Sequence, residues 1–196
     1  MIRSIFLFGF LLVVASSADA HADAQADVRQ AFGKVLADGG FRGHVTGNVF
    51  GPGTPQVSGE IDAIFPDRIR LQGEELEFIV TAEGAWTSAL GLWVPTDRSL
   101  LPVTGFDMVS MRRAIASISG VRDEGRAKSP SCNDLRVYSF AASGQLPGTF
   151  ANGKVRLWVC QRDGRPSRID ASESTDQHVI IDFDWSHRPQ VVAPQD

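Results

Sequence analysis

The sequence predicts a mainly β (α+β) domain, an antiparallel sheet with one apolar face and two short helices. Three observations predict it. Apolar and charged residues alternate through two separate regions, residues 65–87 and 132–184. Turn residues interrupt both regions at hairpin spacing, at Gly73-Glu74, Ala82-Glu83-Gly84 and Arg162-Asp163-Gly164. Helical periodicity is confined to two stretches, one near each flank of the first region.

The N-terminus has the features of an export signal. Arg3 gives a positive n-region, "IFLFGFLLVV" an apolar core, and Ala18-Asp19-Ala20 a small-residue cleavage site, with Ala22-Asp23-Ala24 as a second possible cut. The apolar run is too short to span a bilayer. No cysteine directly follows it, which disfavours a lipid-anchored lipoprotein. The expectation is a signal peptide over residues 1–20, cleaved near Ala20, and one exported domain over 21–196. A formal net charge of −4 and scattered basic residues point away from nucleic acid. Cys132 and Cys160 are the only two cysteines, and in an oxidising compartment they are expected to form a disulfide.

The first helix is expected to open on a capping box, Asp27-Val-Arg-Gln30, to carry Val28, Phe32, Val35 and Leu36 on one face, and to stop at Gly39-Gly40. The second is expected from about Phe106 to Ile118, with Met108, Met111, Ile115 and Ile118 on one stripe and Gly120 ending it. Met108 and Met111 read either as core or as a flexible lid over a variable apolar guest. Pro52 and Pro55 mark an exposed loop, and residues 142–152 a second long one.

In "FPDRIRLQGEELEFIVTAEGAWT", a two-residue turn at Gly73-Glu74 pairs Leu71 with Leu76 and Ile69 with Phe78, and sets Arg70 opposite Glu77 on the outer face. A turn at Ala82-Glu83-Gly84 then pairs Val80 with Trp86. Pro66 marks a bend, bulge or edge, since it cannot donate to a ladder.

For the second region, facing Cys132 with Cys160 puts Leu135 opposite Leu157 and Val137 opposite Val155. A turn with Gly164 left-handed sets Leu157 against Ile169 and Val155 against Ala171. A turn centred on Thr175 sets Ile169 against Ile181 and Ala171 against Val179. The expected sheet has two apolar rows, Leu135-Leu157-Ile169-Ile181 and Val137-Val155-Ala171-Val179. Its reverse face carries Arg156 opposite Asp170, Arg168 opposite Asp182, and Trp158. Arg136 opposite Arg156 is the one unfavourable pair.

Catalytic patterns are not found. There is no G-x-S-x-G, no H-E-x-x-H, no C-x-x-C and no EF-hand loop, and His44 and His178 have no triad-like spacing. Carboxylates fall beside arginines on the outer face. The expectation is a non-enzyme with no cofactor and no metal.

Beyond these patterns, "GEIDAIFPDRIRLQ", followed by a hairpin and "EGAWT", then a helix, "VYSF" and "DGRPSRIDA…VIIDFDWSHRPQVVAP", resembles the LolA/LolB-like periplasmic lipoprotein carriers and their lipid-binding relatives, over about residues 41–194. The resemblance implies a curved antiparallel incomplete β-barrel with helices covering the open, concave side. Between them it implies an apolar cavity for acyl chains. By position the cavity residues are Ile69, Leu71, Leu76, Phe78, Val80, Trp86, Leu135, Val137, Leu157, Ile169 and Ile181, with Met108 and Met111 as lid candidates. Arg70 matches the hallmark arginine that hydrogen-bonds the lid. The implied cargo is a lipid or an acylated protein, with membrane donor or acceptor proteins as partners, no nucleic acid, and a monomeric periplasmic carrier. The chain departs from the carriers in "FRGHVTGNVF", where they have a phenylalanine-serine-glutamine pattern, and in the Cys132–Cys160 pair. Two readings stay open: an acyl-chain carrier, or a non-enzymatic envelope sensor or protein-interaction module whose sheet face is filled by its own core.

Overall fold

The computed structural model describes residues 16–48, 56–74, 76–89, 91–101, 108–143, 146, 152–174 and 177–194. Pro52, Pro55 and Thr175 lie outside them.

Among the described residues, eleven strands form one sheet. They are β1 (Gly40–Gly47), β2 (Val57–Ile64), β3 (Arg68–Gly73), β4 (Glu77–Val80), β5 (Ala85–Ala89), β6 (Leu92–Pro95), β7 (Arg122–Ser129), β8 (Cys132–Ser143), β9 (Asn152–Cys160), β10 (Arg165–Ser174) and β11 (Gln177–Asp184). The spatial order is β6-β5-β4-β3-β2-β1-β11-β10-β9-β8-β7, and every neighbouring pair is antiparallel. β6 and β7 are the two edges, so the curved sheet stays unclosed. The chain returns from one edge to the other through a 3-10 turn (Arg98–Leu100) and helix α2 (Met108–Ser117).

The two regions read from sequence join through β1, which pairs with β2 on one side and β11 on the other. Alternation then gives one continuous apolar face. One row runs Tyr138, Leu157, Ile169, Ile181, Val45 and Gly59 across β8, β9, β10, β11, β1 and β2. Glycine permits the bend where strands approach most closely. A Cβ on Gly59 would collide with the carbonyl oxygen of Gln72, and one on Gly47, at φ 138°, with that of His178.

Helix α1 (Ser16–Ala37) lies against this face over β10, β7, β1 and β9, and packs against α2. Ala24, Val28, Ala31, Phe32 and Val35 are at most 2% exposed and share one core with the sheet. The helix stops as expected, with Gly39 left-handed at φ 76°. Its start differs. Asp27 is not an N-cap, because α1 already runs from Ser16. A local capping pattern cannot be told from the same residues used mid-helix when a tertiary partner takes the carboxylate.

The second helix matches its expected C-terminal part. Met111 and Ile118 are buried, Ile115 packs against the core, and Gly120 follows at φ 63°. The bend at "FPD" is a tight turn between β2 and β3 with a cis Phe65–Pro66 bond.

Several registers differ from expectation. β8 pairs with β9 so that Leu135 faces Cys160, Val137 faces Trp158, Tyr138 faces Leu157 and Phe140 faces Val155. Cys132 instead sits beside Ser129 in the β7–β8 ladder and reaches Cys160 obliquely, with a Cα–Cα distance of 6.0 Å. A disulfide fixes proximity, not register, and the connection from β8 to β9 is too long for turn chemistry to fix it either. Arg136 therefore faces Val159, not Arg156.

The β3–β4 hairpin is shifted by two residues, pairing Leu71 with Phe78 and Ile69 with Val80. Here the turn is displaced by one residue, with Gly73 N–H donating to Leu76 O, but the same side chains stay inward. The β4–β5 turn is one residue shorter than expected, closed by Thr81 N–H to Gly84 O and braced by Glu83 N–H to Thr81 Oγ1. That one residue fewer reverses the face: Val80 pairs with Ala85, and Trp86 faces Ile79 on the outside. The β9–β10 and β10–β11 registers are as expected.

Candidate functional site

The apolar face and the helices over it form the candidate site. Ile69, Leu71, Phe78 and Val80, from β3 and β4, are at most 3% exposed and belong to the main core. Leu157, Ile169 and Ile181, from β9, β10 and β11, join them, each at most 3% exposed. Leu76, in its turn, packs against the same core while half-buried. Met111 is buried on α2, and Met108, one turn earlier, is half-buried.

Three expected members point the other way. Trp86 lies on the outer face beside Ile79. Leu135 forms a small outer cluster with Cys132 and Cys160, flanked by Ala127 and Trp158. Val137 faces Trp158 on that side. Their places inside are taken by Ala85, Tyr138 and Phe140. The strand "LRVYSF" is apolar on both faces, so alternation alone allows either phase.

Arg70 does not hold a helix. Its Nη2 meets Glu77 Oε1 at 3.0 Å on the outer face, diagonally across the hairpin, because the shifted register sets Arg70 opposite Ile79 rather than opposite Glu77. The arginine that ties the helices is Arg29 of α1, whose Nη2 donates to Ile118 O at 2.8 Å, just past the end of α2. Nothing local marks Arg29, because its partner is a backbone carbonyl 89 residues away.

Helix α1 is fastened by polar contacts along its length. Tyr138 Oη donates to Asp27 Oδ2 at 2.6 Å, Lys34 Nζ donates to Asp163 O, and Arg165 Nη2 lies 3.0 Å from Asp38 Oδ2. Tyr138 is fully buried, and burial, reinforced by the Asp27 carboxylate, pushes its phenol well above its ordinary value. Beside it Arg136 pairs with Asp123 at 3.3 Å. In contrast, α2 packs against α1 and β8, and Arg29 of α1 bonds Ile118 O just past its end. An open groove of about 260 Å³ runs between the two helices, lined by Gly33, Leu36, Ala37, Arg112 and Ile115.

The outer face carries the charges. Arg168 grips Asp182 with two bonds of 2.6 and 2.7 Å. Arg156 lies opposite Asp170 but bonds Glu124 instead, and stacks over Trp158 at 5.0 Å. His44 and His178 each meet a carboxylate, Glu60 at 3.2 Å and Asp170 at 2.7 Å. Asp62 is 7% exposed, and burial raises its carboxyl above the usual value, against the opposing pull of Arg42. Among the described residues, no three His, Cys, Asp or Glu side chains are placed to hold a metal. No helix among them is long and apolar enough to cross a membrane.

No family model matches the chain, and no curated protein matches it. Among solved structures it is similar to LprF from Mycobacterium bovis, at a TM-score of 0.57 and 12% identity, covering 89% of this chain and 98% of that one. It also aligns with the MucA/MucB complex of Pseudomonas aeruginosa (TM-score 0.44, 18% identity, 82% of this chain and 55% of that one). A DUF1329 family protein from Desulfovibrio piger aligns at a TM-score of 0.38 and 9% identity, over 84% and 92%. At 12% identity the likeness to LprF is one of fold alone.

Proposed function

We propose that this protein is an exported, non-enzymatic binder of acyl chains, holding the apolar part of a lipid or acylated protein between the sheet's inner face and α2. The observation that carries the reading is the asymmetry of the two helices. α1 is latched to the sheet by Asp27, Lys34 and Asp38, whereas α2 packs on α1 and β8 with its apolar stripe, and Arg29 bonds Ile118 O just past its end. An element held that way separates from an apolar face at low cost and closes again over a guest. Removal of the guest from water drives binding at roughly 0.8 kcal/mol per buried methylene, before losses of ligand freedom. No reaction is needed. The resemblance of "GEIDAIFPDRIRLQ" to the LolA/LolB-like carriers and the fold shared with LprF support the same reading. The Cys132–Cys160 disulfide suits an oxidising compartment such as the periplasm.

Native mass spectrometry after gentle extraction from the source membrane tests it. Expected is a co-purifying lipid or acylated peptide, on a chain beginning at His21; repeated recovery of the bare chain overturns it.

A second reading is supported by the β6 edge, where Leu92 is 71% and Val94 47% exposed. An uncharged, apolar strand edge is what a sensor or interaction module presents for strand addition. Leu157→Trp separates the two. Loss of lipid from the variant supports carriage, while a gain in stability with unaltered cell phenotype supports the interaction module.

A further inference from the structure

A second cavity lies away from the helix-covered face. It is a cleft of about 360 Å³ where the β7–β8 turn, the β9–β10 turn and the end of β11 meet. That falls in the range of small-molecule sites, roughly 300–1,000 Å³.

One wall is apolar and rigid: the Cys132–Cys160 disulfide, Pro166, Phe183 and Trp185. Trp185 is stacked on Phe183, with centroids 5.5 Å apart and planes 4° off parallel. Its Nε1 donates to Pro166 O at 2.5 Å, and the Arg165 guanidinium lies 5.2 Å from its ring. Arg165 is itself committed to Asp38.

Most carboxylate oxygens in the cleft are engaged, Asp163 Oδ2 apart. Asp184 accepts from Ser186 N–H at 2.8 Å and from Ser186 Oγ, and lies 2.7 Å from His187 Nδ1; the Ser186 hydroxyl, foremost, keeps its carboxyl down at about 2. Asp163 Oδ1 accepts from Arg165 N–H at 3.0 Å.

The donors are not. Arg162 is 76% exposed and comes no closer to Asp163 Oδ2 than 3.9 Å, beyond hydrogen-bond distance. Ser167 sits in a bulge between Pro166 and Arg168 that leaves it out of the β9–β10 pairing, and its hydroxyl has no hydrogen-bond partner among the described residues. Bulges recur where a strand re-aims a side chain toward a ligand. Ser131 Oγ meets only Ser129 Oγ, at 3.0 Å.

A cleft with spare charged and hydroxyl donors, mostly engaged acceptors and one apolar wall fits an oxyanion carried on a compact organic group. We propose that it binds a phosphoester, with Arg162, Ser167 and Ser131 on the phosphate and the disulfide–Pro166 wall against the carbon moiety. This does not rest on the acyl-chain reading, since none of these residues belongs to the expected acyl-lining set.

Titration of the intact 15N-labelled protein, followed by amide and indole N–H shifts, tests it with inorganic phosphate, glycerol 3-phosphate and methyl glucoside. Saturable shifts centred on Arg162, Ser167 and Trp185 are expected with the phosphates. Arg162→Ala should weaken them about tenfold, as for loss of a charge-assisted bond, and Ser167→Ala by a smaller factor. Arg113→Ala, an exposed arginine on α2, should leave them unchanged. Glycerol 3-phosphate binding more tightly than phosphate assigns the site to a headgroup-like ester, and equal binding to free phosphate. Shifts with methyl glucoside alone, no saturable shift, or equal affinity in Arg162→Ala would overturn the proposal.

Discussion

Tyr138 of β8 donates its hydroxyl to Asp27 of α1 at 2.6 Å, across 111 residues of sequence. The bond fixes the helix over the sheet at the point where the apolar face reaches β8. Tyr138→Phe leaves a half-buried carboxylate without its donor and should cost about 1–3 kcal/mol in urea unfolding. A double-mutant cycle with Asp27→Ala should return most of that as coupling. Tyr138 is the only tyrosine, so its titration is directly visible in absorbance. Its folded pKa is raised from an ordinary value of 10.0, chiefly by burial. The stability this gives is complete below the unfolded pKa and is lost as pH climbs beyond it. Tyrosinate absorbance should therefore appear together with alkaline unfolding, and Tyr138→Phe should flatten the loss of stability above about pH 10.

Asp62 carries the opposite kind of burden. Desolvation raises its carboxyl, although Arg42, a backbone N–H from Gln190 in the C-terminal tail and Arg70 all pull it down. A raised folded pKa means that the protonated form is favoured in the fold, so the contribution is greatest below the unfolded value and falls as pH rises through the folded one. Relative to Asp62→Asn, the wild type should lose stability between about pH 4 and the folded pKa, and then level off. Thermal unfolding of both proteins across that window checks it; a difference independent of pH would show that the carboxyl is not desolvated.

The Cys132–Cys160 bond spans 28 residues and sits under Leu135 and Trp158 on the outer face. Closing a loop of that length should stabilise the fold by about 3–4 kcal/mol. The Cys132→Ala/Cys160→Ala protein should lose that amount in chemical unfolding, with its fold signature in far-ultraviolet dichroism retained.

Arg29 tests which helix moves. Its hydrogen bond to Ile118 O ties α1 to the end of α2. Arg29→Ala should speed release of a bound fluorescent fatty acid several-fold, within the worth of a charged hydrogen bond. A lowered melting temperature with unchanged release would place the opening elsewhere.

The positions that sequence placed correctly are those fixed by short-range chemistry. Gly164, left-handed at φ 65°, and the expected pairing of Leu157 with Ile169 follow from local turn geometry, even though the turn is one residue longer and a bulge at Ser167 absorbs the difference. The Arg168–Asp182 pair likewise follows from neighbours in a hairpin, whereas Arg70 reaches Glu77 only diagonally, its ladder partner being Ile79. Where the turn was misjudged by an odd number of residues, as at Thr81–Gly84, the whole strand inverted and took Trp86 out of the expected site.

By itself, then, the sequence determined an antiparallel sheet with one apolar face, two amphipathic helices, the ends of α1 and α2 at Gly39 and Gly120, and a disulfide. These depend on side-chain alternation and on glycine's access to positive φ, both properties of a few adjacent residues. Only the tertiary structure decided that β1 joins the two regions into one unclosed sheet, that Tyr138 and Phe140 rather than Leu135 and Val137 line its inner face, and that Asp27 and Arg29 are tethers. Long connections do not transmit register, and a carboxylate or guanidinium is indifferent to how far along the chain its partner lies. Each of those choices was settled by which distant surface each residue met when the sheet curved around α1.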